Sequence, residues 1–247
     1  MLNTPLDLLT RIQIALAANL GVVKSKKNNI SDFYKFEYCR FINNTTETFL
    51  FLVKNERVEA SRILVRPALE VTFRLQAIQT KPELLLGVAA WEHEERKKLM
   101  NGIAPHLVDE TTKTMAVQWT DTVESYKKLF PSLPINQTPL SAFDAAKAIQ
   151  FNPALKSGNG NSNPLFETYY RFYSPFTHGH IDSLSGEMNY LPFLDNSIMG
   201  YSAIIALDAT VKLGADENAY RSLEAEFMSC RQDRAATHRR ENSIARS

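Results

Sequence analysis

Apolar residues in the first hundred positions recur at intervals of three and four rather than two, and only Gly21 and Gly87 interrupt them as glycines. Intervals of three and four place apolar side chains on one face of an α-helix, whereas a half-buried strand needs alternation. No internal repeat accompanies the pattern. The sequence therefore predicts an all-α fold, a single helical bundle of about seven to nine helices.

Start and stop signals divide the chain into helices. Thr4 and Pro5 can cap and begin the first helix, which Gly21 would end, and Ser31 would cap the second. Pro67 should bend a long helix over residues 57–79, because proline lacks a backbone donor. Further helices are predicted over residues 82–100, 109–130, 139–151, from 164 onward, 195–214 and 215–231.

The second predicted helix is rich in aromatic side chains. Its large apolar residues recur at near-helical intervals, as core residues do: Phe33, Phe36, Phe41, Phe49 and Leu52. We expect this set to face the core of the bundle.

The domain organisation follows from length and from the loss of apolar periodicity near the end. A chain of 247 residues can bury a sizeable core. We expect residues 1–230 to form one helical bundle domain. Residues 231–247 carry five arginines against one aspartate and one glutamate, which predicts a basic, flexible tail.

Composition limits the partners and the compartment. Lysine plus arginine (28) nearly balances aspartate plus glutamate (27), so no overall field attracts nucleic acid or an anionic membrane. Cys39 and Cys230 form no paired-spacing motif, which favours a reduced cytoplasmic protein. The apolar uncharged segment 196–207 is well short of the roughly 20 residues that a membrane helix needs. We therefore expect no membrane association.

Two polar motifs stand out within helical segments. Arg66 and Glu70 are one turn apart in an apolar stretch, so they should point inward and pair with each other. Tyr170, Ser174 and His178 are spaced at intervals of four and form a second stripe. We expect the two stripes to meet in a polar pocket.

These motifs resemble an uncharacterised bacterial family of helical proteins, a domain-of-unknown-function family. Its members carry an R-x-x-x-E helix and a later helix with the pattern Y-x-x-hydrophobic-S-x-x-x-H. The resemblance covers residues 56–184 and implies an all-α fold without an established activity. The binding residues expected in the pocket are Arg66, Glu70, Tyr170, Tyr173, Ser174 and His180.

Arg171 and His178 carry the catalytic hypothesis. Their R-x6-H spacing resembles the signature of HEPN ribonucleases, in which histidine acts on the ribose 2′-hydroxyl and arginine stabilises phosphate charge. Seven residues are close to two helical turns, so both side chains would share a face about 10 Å apart. Phe172 and Pro175 depart from the pattern, because a polar residue usually follows the arginine and proline interrupts the helix.

A metal site competes for the same histidine. The sequence from His178 through His180 to Asp182 resembles the metal loop of metallo-β-lactamase-fold hydrolases, but Ser183 replaces the last histidine of that motif. That fold also needs strands and further histidines. We therefore expect no bound metal and no cofactor, and a metal-dependent hydrolase ranks third.

Two functional hypotheses rank above the metal-dependent hydrolase. The first is a metal-independent HEPN-like endoribonuclease in a defence or toxin setting, with RNA as its partner. The second is a non-catalytic interaction module, in which the polar cluster is structural and the partner is another protein or a second copy of the chain.

Overall fold

The structure is a computed structural model that describes residues 6–23, 30–91, 95, 128, 140–149, 173 and 192–230. Within these ranges the regular secondary structure is helical, and no strand occurs. The all-α fold predicted from the periodicity is confirmed. The predicted helices at 109–130 and from 164 onward, and the tail 231–247, lie outside the described residues apart from Lys128 and Tyr173.

The described α-helices include α1 (Leu6–Val23), α2 (Ile30–Lys54), α3 (Val58–Arg62), α4 (Val65–Thr80), α5 (Ala142–Ala148) and α6 (Pro192–Lys212). A 3-10 turn, Pro82–Leu84, leads from α4 into helical residues 85–91. Residues 218–230 form a last helical segment. The main bundle consists of α1, α2, α4 and α6, and α6 contacts the other three.

Helix α1 buries the face that its apolar periodicity predicts. Leu8, Leu9, Ile12 and Leu16 are fully buried against the bundle. The helix does not end at Gly21 but includes Val23, because glycine weakens a helix by only about 1 kcal/mol and Val23 is buried against the bundle.

Length and composition alone would let α1 cross a membrane, the single such helix among the described residues. Core helices of soluble proteins and N-terminal signal sequences share these properties. Here α1 packs against α2 and α6, as a core helix does.

Helix α2 has one buried face and one exposed face. It begins at Ile30, so Ser31 lies buried inside the first turn rather than at the cap. Phe36 and Phe49 are buried as predicted, but Phe33 and Phe41 are exposed. The expectation that the whole aromatic set faces the core was wrong, because those two phenylalanines lie on the outward side of the helix.

Pro67 divides the predicted 57–79 helix into two. A turn at residues 63–64, which keep helical backbone angles, separates α3 from α4, so Pro67 occupies the third position of α4. There its missing N–H would have had no intrahelical acceptor in any case. Its ring would clash with the carbonyl of Ile63, four residues earlier, and this clash accounts for the break.

Helix α6 is the central element of the bundle. Its small residues Ala203, Ala206 and Ala209 are buried and allow close approach. Two polar contacts fix neighbouring helices against it: the Cys39 thiol donates to the Ala206 carbonyl at 3.4 Å, and Asn19 donates to Thr210 Oγ1 at 3.1 Å. The helix begins at Pro192, three residues before the predicted start, and this extension places Asp195 inside its first turn.

Candidate functional site

A buried polar network joins three parts of the chain. Arg62, at the end of α3, donates its Nε–H to Oδ2 of Asp195 on α6 at 3.3 Å. Tyr173 donates its hydroxyl proton to Oδ1 of the same carboxylate in a short hydrogen bond. The exposed fractions are 5% for Arg62, 2% for Asp195 and zero for Tyr173. We call this set the buried triad.

Three effects act on the pKa of Asp195 in the buried triad, and the net result is a raised pKa. Burial raises the pKa of Asp195, because a charged carboxylate loses its hydration, while the hydrogen bond from Tyr173 and the charge of Arg62 act in the opposite direction. Burial is the largest of these effects. Both hydrogen bonds partly offset the cost of burying the Asp195 carboxylate, and the one from Tyr173 ties that residue to α6.

The charged motif on α4 lies closer to the surface. Arg66 donates its Nε–H to Glu70 Oε1 at 3.2 Å, with both side chains partly buried. The expected pairing of these two residues is therefore present. They lie on successive turns of α4, and Arg74 follows one turn later.

Arg74 differs from the other two arginines of this region. Its Nε is buried and has no hydrogen-bond partner, although the side chain as a whole is partly exposed. Glu70, one turn away, pairs with Arg66. A buried guanidinium N–H without an acceptor is costly, which makes Arg74 a candidate ligand-binding group.

The expected site is described only in part. Arg66, Glu70 and Tyr173 lie among the described residues, and Tyr173 is a fully buried member of the triad. The remaining expected site residues lie outside the described part of the chain: Tyr170, Arg171, Ser174, His178 and His180. Their roles therefore stay predictions, as does the meeting of the two polar stripes.

Sequence reasoning missed Arg62 and Asp195. Arg62 lies within a predicted helix, and nothing in the sequence around it distinguishes it from an ordinary surface arginine. The sequence predicts a helix that starts at Asp195, and aspartate is common at helix starts. The available signal was the apolar stretch that follows it, since a charge next to a buried run needs a partner.

A metal site finds no support among the described residues. No group of three or more histidine, cysteine, aspartate or glutamate side chains comes together there. The His178, His180 and Asp182 loop lies outside that part of the chain.

The comparison with known families is informative at the level of family only. No curated protein and no solved structure matches the chain. The family of unknown function DUF5677 matches residues 32–192, about two thirds of the chain. The match contains Arg62, Arg66, Glu70 and Tyr173, whereas Asp195 lies just beyond it. The chain therefore belongs to DUF5677, a family of unknown function.

Proposed function

We propose that this protein is a metal-independent endoribonuclease in which Arg171 and His178 act on the RNA. The burial of Tyr173 is the observation that supports this proposal most strongly. The buried side chain of Tyr173 indicates which side of the chain around residue 173 would face the core.

The support comes from helical geometry. At about 100° per residue, a regular helix that continues from Arg171 past Pro175 to His178 would put these two residues about 160° and 140° around the axis from Tyr173. The two side chains would then lie about 20° apart, on the side opposite the buried tyrosine. Tyr170 and Ser174, at about 60° and 100°, would line the edge between the two faces.

The chemistry needs few groups. His178 would take the proton of a ribose 2′-hydroxyl as it attacks the adjacent phosphodiester, and it would return a proton to the leaving 5′-oxygen. Arg171 would stabilise the charge that develops on the phosphate oxygens. The buried triad would contribute by holding Tyr173 in place through its hydrogen bond to Asp195.

The test is cleavage of single-stranded RNA in EDTA by the full chain. We expect His178→Ala and Arg171→Ala each to lower the rate by about 10²-fold or more, with the unfolding temperature nearly unchanged. Arg221→Ala, which alters an exposed arginine paired with Glu217, is the matched control and should cleave normally. If the wild type cleaves none of a varied set of RNAs, or if both substitutions mainly unfold the protein, the proposal fails.

A non-catalytic interaction module is the second candidate. It is favoured by large apolar side chains that α1 and α2 expose, among them Ile14, Phe41 and Phe51, the last 65% exposed. Exposed aromatic residues are common in protein interfaces. A stable dimer that persists without RNA and is dissociated by Phe51→Ser, together with absent cleavage, would favour this alternative.

The setting is part of the proposal. We place the protein in the cytoplasm, away from the membrane, because the cysteines Cys39 and Cys230 are both free thiols. A role in defence or toxicity rests on analogy with HEPN ribonucleases.

A further inference from the structure

The charges around the polar part of the bundle do not balance. Arg62 is matched by Asp195, and Arg66 by Glu70. Arg74, on the next turn of α4, has no acidic partner among these groups, and its Nε–H is buried without an acceptor. Within the described part of the chain, the charge of Arg74 is therefore not matched by an ion pair, at a position where solvent only partly reaches the residue.

Such an arrangement suits an oxyanion ligand. A guanidinium is charged at all ordinary pH values, and its planar set of donors matches the oxygens of a phosphate group. Because the residue as a whole is partly exposed, a ligand can approach its guanidinium from solvent, although the Nε atom itself is buried. A phosphate that contacts the guanidinium would neutralise the surplus charge.

We infer that Arg74 binds a phosphate group of the single-stranded RNA backbone, with Arg66, about two turns earlier on α4, as a secondary contact. Arg66 and Arg74 are eight residues apart on α4, which corresponds to about 12 Å along the axis. RNA as the ligand rests on the proposed function, whereas the oxyanion site rests on Arg74 itself. Arg74 is proposed as an RNA-binding residue and is separate from the proposed catalytic pair, Arg171 and His178.

The experiment measures binding apart from cleavage. The full chain carrying His178→Ala is titrated against a fluorescent 2′-O-methyl single-stranded oligonucleotide in EDTA, and anisotropy is recorded at several salt concentrations. We expect Arg74→Gln in this background to weaken binding about tenfold and to reduce the slope of log K against log salt by about one phosphate contact. Arg74→Lys, which keeps the charge, should retain part of the affinity.

The controls separate the outcomes. Arg221→Gln should bind like the parent, and Arg74→Gln should not lower the unfolding temperature, because Arg74 has no hydrogen-bond partner at Nε to lose. If Arg74→Gln binds the oligonucleotide like the parent, the inference is overturned. It is also overturned if neither the oligonucleotide nor inorganic phosphate binds the parent.

Inorganic phosphate distinguishes a free anion from RNA. Stabilisation of the wild type but not of Arg74→Gln by phosphate, without oligonucleotide binding, would keep the oxyanion site and exclude RNA as its ligand. A wild type that binds the oligonucleotide through Arg74 but cleaves no RNA would refute the nuclease and leave the site standing.

Discussion

Asp195 receives hydrogen bonds from two residues that are far apart in the sequence. Arg62 approaches one carboxylate oxygen and Tyr173 the other, and all three residues are buried. Replacing one member leaves the others without compensation, whereas exchanging a whole network for apolar side chains can be neutral. At the scale of single residues, the triad is therefore an all-or-none arrangement.

The raised pKa of Asp195 predicts a specific pH dependence. Above its ordinary value of 3.8, the unfolded state releases its proton before the folded state does. The folded state then binds more protons, so stability falls as pH rises from about 4 through the raised pKa. We expect the free energy of unfolding of the wild type to fall relative to Asp195→Asn, which cannot titrate, in urea titrations from pH 4 to 7. A difference that stays constant, or changes in the opposite direction, would contradict this.

At the scale of elements, the close contact between α6 and residues 218–230 depends on a glycine. A Cβ added at Gly200 would lie 2.7 Å from Cε2 of Phe227, which is itself buried. The last helical segment therefore packs against α6 at a distance that other residues would not permit. An ion pair between Arg11 and Glu226 links the same segment to α1.

Two matched substitutions test this packing. Gly200→Ala should destabilise the protein, because an overpacking cost of about 1–3 kcal/mol exceeds the gain in helix propensity of about 1 kcal/mol. Gly21→Ala should stabilise the protein by about 0.5–1 kcal/mol, because a Cβ added at this helical position would have no atom within 4 Å. Thermal unfolding should show shifts of opposite sign, about 2–4 °C per kcal/mol. Two shifts of the same sign would show that Phe227 does not pack against Gly200.

Helices were predictable where one local signal dominates, and less so where packing decides. The apolar face of α1 follows directly from its periodicity, but Gly21 does not end the helix, because Val23 beyond it is helical and buried. The break before Pro67 is a local steric effect, and the sequence indicated its place but predicted a bend. Phe33 and Phe41 were misplaced because composition does not show which side of α2 meets the bundle.

At the scale of the whole molecule, the candidate site was only partly predictable. The Arg66–Glu70 pair is encoded within one helix and was expected. The triad joins positions 62, 173 and 195, so it depends on the tertiary arrangement of three separate segments. Such pairing over long sequence separations leaves little local trace. The division into a bundle over residues 1–230 and a basic tail over 231–247 stays a prediction.

The family match and the bundle overlap without coinciding. Helix α1 and nearly all of α6 lie outside residues 32–192, although both belong to the core. Arg62 and Tyr173 lie within the matched region, and their shared acceptor Asp195 lies beyond it. The triad thus connects the region typical of the family to the rest of the bundle.

Whether Tyr173 is an anchor within one network with Arg62 is tested most directly by a double-mutant cycle in urea. We expect Arg62→Met to lower the free energy of unfolding by about 3 kcal/mol and Tyr173→Phe by about 1–2 kcal/mol. Because both act on the Asp195 carboxylate, the double variant should differ from their sum by about 1 kcal/mol. Additivity within about 0.5 kcal/mol would show that the two residues are independent and that Tyr173 does not anchor its segment through the triad.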